Sequence, residues 1–208
     1  MTDTEFPDRL FQREDETSDT LFYREPRFVA HIDDVTISAL TGYYREFLPG
    51  GCRILDLMSS WISHLPDVEY PRVAGLGMNE RELAANPRLT DFVVHDLNAD
   101  PRLPYEDETF DRAVIAVSMQ YLVRPVEVFG DLRRVLVPDG RIAIAMSHRC
   151  FPTKAILAFR ALGPADRVRL VSAFLHQAGF SNIGFEDRSP PKGDPLWVVA
   201  GTNRSNVA

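Results

Sequence analysis

The stretch from Arg53 to Ser63 reads RILDLMSSWIS, and the interpretation of the whole chain starts from it. Its first half is an apolar, β-rich run that carries the acidic Asp56 near its end. Its second half is a polar loop that leads to a predicted helix. Parallel-sheet domains that bind nucleotides place a glycine-rich turn at this point, but this turn contains no glycine. The surroundings therefore predict a ligand site whose first loop departs from the usual chemistry.

Strands and helices alternate along the rest of the chain. Seven short apolar runs predict strands, at 52–57, 72–76, 91–95, 110–117, 141–146, 181–187 and 196–201. The loop between the last two runs is too short for a crossover helix, so these strands are expected to be antiparallel neighbours. The pattern predicts a Rossmann-like α/β single domain with a mostly parallel seven-stranded sheet, an antiparallel last strand and helices on both faces.

Composition argues against several classes of protein. The chain of 208 residues has 23 basic and 30 acidic side chains, a formal charge of −7, whereas nonspecific nucleic-acid binding needs clustered Lys and Arg. No apolar run approaches the roughly 18 residues of a membrane span, and residues 1–20 do not resemble a signal peptide. We therefore expect a cytoplasmic protein with a small-molecule substrate and no nucleic-acid or membrane partner. Cys52 and Cys150 are expected to be buried, and no residues have the spacing of a metal site.

Polar or small residues follow each of the first five predicted strands. They occupy 56–61, 77–80, 96–98, 118–121 and 147–149. Ligands of open parallel sheets bind beyond the carboxyl ends of the strands, where the strand order reverses. The five segments are therefore expected to meet and form one site.

Four segments, taken in chain order, carry the motifs of one family. Arg53–Ser63 matches a first motif in position, and Val73–Asn79 matches a second. His95–Asp111 (HDLNADPRLPYEDETFD) and Asp131–Ala145 (DLRRVLVPDGRIAIA) match the third motif and the turn into the fifth strand. In this order and spacing they resemble a class I S-adenosylmethionine-dependent methyltransferase of the small-molecule, type 11-like kind. The resemblance implies S-adenosylmethionine as the cofactor and transfer of its methyl group to a small molecule.

The resemblance also suggests how the chain is organised. Residues 1–20 are acidic with few apolar anchors and predict a partly disordered leader. Residues 21–208 are expected to form the methyltransferase-like domain. Within it we expect a helical lid at 21–50, a cofactor-binding core at 51–147, and substrate-side helices with a final hairpin at 148–208.

The cofactor site is expected to combine conventional and unusual residues. In the family, the residue at the position of Asp96 accepts a hydrogen bond from the adenine amino group, and Leu97 offers its N–H beside it. The acid that usually holds the ribose hydroxyls falls at Gly77, so Asn79 or Glu80 is expected to replace it. The predicted cofactor residues are Asp56, Met58, Ser59, Ser60, Trp61, Gly77, Met78, Asn79, Asp96, Leu97, Asn98 and Ser118.

The carboxylate of the cofactor needs donors that a glycine-free loop does not provide through a close backbone approach. The resemblance leaves this role to the hydroxyls of Ser59 and Ser60, aided by the N-terminus of the predicted helix that follows.

Substrate contacts are expected in the lid and in the loops after the fourth and fifth strands. The predicted residues are Tyr23, Arg24, Phe28, Gln120, Tyr121 and Arg149. His148 and His31 are the predicted catalytic residues, because a neutral imidazole can take a proton from an acceptor near pH 7.

Two alternatives remain open on the sequence alone. A catalytically silent domain acting as a binding or scaffold protein would account for the lost glycines, and it predicts that Trp61 and Met58 fill the pocket. A different sulfonium reaction would keep the cofactor and change the product.

Overall fold

A seven-stranded mixed sheet organises the computed structural model, which describes residues 6–204. The strand order is β3-β2-β1-β4-β5-β7-β6. The strands are β1 Arg53–Leu57, β2 Arg72–Gly77, β3 Asp91–Val94, β4 Phe110–Ala116, β5 Leu136–Met146, β6 Ser181–Asp187 and β7 Trp197–Thr202. Strands β1 to β5 pair in parallel, and β7 is antiparallel to both β5 and β6. The predicted fold class and the antiparallel final pair are confirmed.

Helices cover both faces of this sheet. They are α1 Asp19–Phe22, α2 Asp34–Phe47, α3 Glu80–Ala85, α4 Pro125–Val135, α5 Leu157–Ala161 and α6 Pro164–Gln177. Successive side chains of a strand point to opposite faces, and β1 shows the consequence. Ile54 packs in the apolar cluster that includes α2, whereas Leu55 and Leu57 pack with α4 and α6 on the other face.

Helix α2 forms where the apolar spacing predicts it. The side chain of Asp33 accepts a hydrogen bond from the backbone N–H of Thr36 (2.8 Å) and so caps its N-terminus. Leu40, Tyr44 and Phe47 recur on its buried face. Helix α5 is short and comprises only Leu157–Ala161.

The helix predicted after β1 does not form, and this expectation is wrong. Every residue of 58–71 is described, and none of them is helical. Two prolines, Pro66 and Pro71, remove backbone donors from the segment. Carbonyl groups of the segment accept side-chain bonds instead, from Asn86 to Ser60 (2.8 Å) and from Arg88 to Pro66 (2.9 Å). The segment is a loop held by its neighbours.

The predicted partly disordered leader is, from Phe6 onward, a packed segment. Met1–Glu5 lie outside the described residues. The ring of Phe6 meets that of Phe174 edge-on at 4.8 Å between centroids. The carboxylate of Asp19 lies 2.7 Å from Arg13 and 3.2 Å from the fully buried ammonium of Lys154. Apolar anchors and buried ion pairs therefore fix this acidic stretch on the domain.

The two cysteines differ in exposure. Cys52 is buried, but Cys150 is exposed, so its predicted burial is wrong. Among residues 6–204, no helix has the length and apolar character needed to cross a membrane.

Candidate functional site

A cavity opens at the carboxyl ends of β1 to β4, around the point where the strand order reverses between β1 and β4. It encloses about 1080 Å³ of space free of protein atoms, counted out to its mouth. Trp61 and Met58 line the cavity and leave it open, contrary to the filling that a silent domain predicts.

The cavity brings together most of the residues singled out in the sequence. All twelve predicted cofactor residues line it, and so do His31, Tyr23 and Tyr121. The remaining predicted residues do not contribute to the lining; they are Arg24, Phe28, Gln120, His148 and Arg149. Four of the five expected sheet-end segments therefore meet, and from the fifth region only Phe151 reaches the cavity.

Asp56 is the buried carboxylate at the end of β1. Its Oδ2 accepts hydrogen bonds from the hydroxyls of Ser59 and Ser63, each at 2.6 Å. Burial raises the pKa of Asp56 to about 6, and the two hydroxyl bonds oppose this rise. Its Oδ1 has no hydrogen-bond partner within residues 6–204. One carboxylate oxygen thus remains available to a ligand.

The absence of an acid at Gly77 has a structural cause. A Cβ atom at this position would lie 2.2 Å from the backbone oxygen of Ser59. The N–H of Ser59 also donates to the carbonyl of Leu76 at 2.7 Å. The loop after β1 therefore lies directly on the end of β2, where a side chain at position 77 would otherwise be.

Neither expected substitute for this acid is free to act. Both lone pairs of the Asn79 Oδ1 are engaged, by the N–H groups of Arg81 (3.0 Å) and Glu82 (3.1 Å) at the start of α3. Its Nδ2 donates to the carbonyls of Tyr23 and Arg24. Glu80 does not line the cavity.

Glu82 is a buried carboxylate of the cavity that the sequence analysis missed. Its Oε1 accepts the backbone N–H of Arg27 (2.7 Å), and its Oε2 accepts the hydroxyl of Ser60 (2.5 Å). In sequence, Asn79 followed three residues later by Glu82 is typical of a helix-capping box. The sequence pattern therefore indicates that Glu82 caps a helix, and it gives no sign that this residue lies in the cavity.

Residues 23–31, which we call the cover segment, close one side of the cavity. Tyr23, Arg27, Val29 and His31 supply the lining. Asn79 and Glu82 form hydrogen bonds with the backbone of this segment, as described above. In addition, the indole N–H of Trp61 donates to the carbonyl of Val29 at 3.1 Å. The cover segment is therefore fixed to the rebuilt first loop and to α3.

Two histidines of the cavity have lowered pKa values, which favour their neutral forms. Burial lowers the pKa of His31, with Glu82 opposing and Arg27 adding to this effect. Burial and then the neighbouring His31 lower the pKa of His64 to about 4. The His64 Nδ1 is buried and has no hydrogen-bond partner among the described residues. No role was predicted for His64, since the sequence offers no partner or spacing that marks it.

Backbone strain accompanies this lining. Met58, His64 and Val117 all line the cavity with positive φ values of 59°, 55° and 46°. Side chains disfavour this left-handed region, and a β-branched valine does so strongly. Such strain is commonly concentrated at functional sites.

The turn after β3 is conventional. The Oδ1 of Asp96 accepts the backbone N–H of Asn98 at 3.0 Å, and its Oδ2 has no partner among residues 6–204. Asn98 instead has a structural position: it accepts from the N–H of Val123 (2.9 Å) and donates to Asp19 (2.7 Å). Ser118, after β4, has a buried Oγ with no partner in the described part of the chain.

His148 and Arg149 belong to a different cluster. The Nε of Arg149 lies 2.6 Å from the buried carboxylate of Asp194, and the Nε2 of His148 lies 3.4 Å from it. Asp194 also accepts the N–H of Asp33 at 3.0 Å. These residues tie the end of β5 to the start of α2. Their predicted roles stay predictions, and their position favours His31 as the base.

Metal ligation has no obvious place in the described chain. Between residues 6 and 204, no three His, Cys, Asp or Glu side chains are grouped as a metal site would require.

Comparison with known proteins agrees with this architecture. Residues 63–144 match the model of a methyltransferase domain family. A curated relative, methyltransferase GfsG of Streptomyces halstedii, is 30% identical over 113 residues, which are 50% of this chain and 40% of that protein. The chain thus matches less than half the length of this relative.

Solved structures extend the likeness to the fold of nearly the whole chain. An S-adenosylmethionine-dependent methyltransferase from Mesorhizobium loti has a TM-score of 0.55 at 19% identity, over 81% of this chain and 99% of that one. The phosphoethanolamine N-methyltransferase 2 of Haemonchus contortus, in complex with S-adenosyl-L-methionine, has a TM-score of 0.57 at 14% identity, over 81% and 52%. The chain therefore has the fold of class I S-adenosylmethionine-dependent methyltransferases, and its residues 63–144 match a methyltransferase domain family, in line with the resemblance of its motifs.

Proposed function

We propose that the protein transfers the methyl group of S-adenosylmethionine to a small molecule. The observation that carries this proposal is the single cavity into which the carboxyl ends of β1 to β4 deliver all twelve predicted cofactor residues. The family match and the S-adenosylmethionine-bound structure of the same fold support the cofactor assignment.

The polar groups of the cavity fit this cofactor. Asp96 has a carboxylate oxygen free for the adenine amino group, and Leu97 follows it in the same turn. Asp56 keeps a free oxygen for a cationic group such as the amine of the methionine part. The unpartnered Ser118 Oγ offers one more polar contact.

When bound, the cofactor supplies an activated methyl group on a sulfonium. The protein then mainly has to orient the acceptor and exclude water, and positioning of this kind can supply roughly 7–11 kcal/mol. Tyr121, Phe151 and Trp61 provide aromatic walls for this purpose. His31 and His64, both neutral near pH 7, can accept a proton from the acceptor atom.

The catalytically silent alternative gains no support. Its distinctive prediction was a pocket filled by Trp61 and Met58, whereas both residues border open space. We also propose that the substrate is a small molecule and that the protein is cytoplasmic.

Calorimetry tests the proposal most directly. Purified protein is titrated with S-adenosylmethionine and with its demethylated product, S-adenosylhomocysteine, and both are expected to bind. Absence of detectable heat at millimolar ligand would remove the enzyme interpretation. Incubation with methyl-labelled cofactor and a cell extract, followed by mass spectrometry, then identifies the acceptor and separates methylation from another sulfonium reaction.

A further inference from the structure

We propose that the guanidinium of Arg27 is the binding site for a carboxylate inside the cavity. Among the described residues that line the cavity, Arg27 is the only Lys or Arg. Its Nη1 is buried and has no hydrogen-bond partner among the described residues. Within residues 6–204, no carboxylate lies close enough to form an ion pair with it. A buried cationic donor without an acceptor is unfavourable, and a bound carboxylate would remove this cost.

The Arg27 side chain packs against aromatic rings and leaves one of its buried donors without an acceptor. The guanidinium carbon lies 4.4 Å from the ring centroid of Phe22 and 5.3 Å from that of Phe151. Nη2 donates to the carbonyl of Phe22 at 2.8 Å, the one acceptor that the side chain has in residues 6–204. A guanidinium packed beside aromatic rings keeps the planar fork that matches a carboxylate.

Other basic groups near the cover segment are already neutralised. Lys154 lies 3.4 Å from Asp15 and 3.2 Å from Asp19, and Arg13 pairs with the same Asp19. The lowered pKa of His31 keeps that ring neutral near pH 7. Arg27 therefore carries the uncompensated positive charge at this end of the cavity.

The serine hydroxyls of the first loop already have acceptors. The single hydroxyl protons of Ser59 and Ser60 are given to Asp56 and Glu82. The helix whose N-terminus was expected to attract the anion does not form at 58–71. The hydroxyl protons are thus engaged and the helix is absent, whereas Arg27, in the cover segment, lines the same cavity.

Two molecules could bring the carboxylate: the cofactor, through its methionine part, or the substrate. The first source rests on the proposed function, and the second does not. Calorimetry with three probes distinguishes them. The probes are S-adenosylmethionine, its decarboxylated analogue, which keeps the sulfonium and the amine, and benzoate, which is a carboxylate alone. Each is titrated into the wild type, Arg27→Gln, Arg27→Lys and the control Arg169→Gln, which changes an exposed arginine of α6 outside the cavity.

If the carboxylate is that of the cofactor, the wild type binds S-adenosylmethionine about ten- to a hundred-fold more tightly than the decarboxylated analogue. Arg27→Gln abolishes this preference by weakening only the carboxylate-bearing probe, and Arg169→Gln retains it. Unchanged binding of the analogue shows that the variant is folded. Arg27→Lys, which keeps the charge and most of the volume, retains part of the preference.

If the carboxylate is that of the substrate, both forms of the cofactor bind equally well to all variants. Benzoate then binds the wild type and Arg169→Gln but not Arg27→Gln. The proposal is overturned if neither the cofactor preference nor benzoate binding depends on Arg27. If neither form of the cofactor binds the wild type, the proposed function fails, and the benzoate titration alone decides the role of Arg27.

Discussion

The two sides of the cavity differ in how closely they follow the family. On one side, the turn after β3 keeps an acidic residue, Asp96, with a free oxygen at the expected position. On the other side, the loop at 58–71 has no glycine and no helix, and β2 ends in Gly77 without an acid. The family match begins at residue 63, so it includes the first side but leaves out β1 and the start of the loop, residues 58–62.

The glycine-free loop and the missing acid at position 77 are parts of one structural change. The loop after β1 lies on the end of β2, and its Ser59 carbonyl occupies the space of any side chain at position 77. A bulky loop and a missing acid are therefore mutually required. The strand pattern tolerates this because the sheet depends on buried residues such as Ile54 and Leu55, not on the loop.

An aspartate at position 77, where the family has its acid, should be incompatible with the loop after β1. This substitution should have the largest effect on stability. We expect Gly77→Asp to destabilise the protein by about 3 kcal/mol, because its Cβ would overlap the Ser59 backbone. Gly75→Ala is the matched control on the same strand. Its Cβ would meet the end of the flexible Leu89 side chain at 2.4 Å, which can rotate away, so its loss should be smaller. Urea unfolding measures both, and equal stability of Gly77→Asp and the wild type would refute the coupling.

The buried carboxylate of the rebuilt side should make stability depend on pH. Burial raises the pKa of Asp56 from 3.8 to about 6, so the native state holds this proton more tightly than the unfolded chain does. Its contribution, on the order of 3 kcal/mol, is present in full below pH 4 and is lost as the pH rises through about 6.

Asp56→Asn removes this titration while keeping an oxygen that Ser59 and Ser63 can bond. Chemical unfolding of both proteins between pH 4 and pH 7 should show their difference in stability change across this window. A constant difference would mean that Asp56 titrates at its ordinary pKa.

On the conventional side, Asp96 should matter for binding. Asp96→Ala is expected to weaken S-adenosylmethionine binding about ten- to a hundred-fold, since it removes the acceptor for the adenine amino group. Asp96→Asn keeps an oxygen for the N–H of Asn98 and is the control for the turn itself. Loss of affinity in Asn as well as Ala, at unchanged Tm in Asn, would assign the effect to the ligand. Unchanged affinity in both would place the adenine elsewhere.

The sequence predicted the conventional parts of the molecule better than the rebuilt ones. Strand positions follow from apolar runs that local residues determine, and Asp96 follows from its place after such a run. The missing helix could not be predicted as readily, because it depends on distant partners such as Asn86 and Arg88 that bond to the loop. Glu82 and Arg27 were missed for a related reason: their positions in the cavity arise only when the cover segment folds onto α3.

His148 gives the smallest expected effect and tests the boundary of the cavity. Its ring is 53% exposed and lies beside Asp194, outside the lining. Pairs of this kind contribute about 0–1 kcal/mol to stability, so His148→Ala should lower stability by no more than this. Its S-adenosylmethionine affinity and its transfer of labelled methyl groups should stay within about two-fold of the wild type. His31→Ala, which changes a histidine inside the cavity, is the comparison, and its transfer should fall by more. The opposite ranking would move the acceptor site from the cover segment to the end of β5.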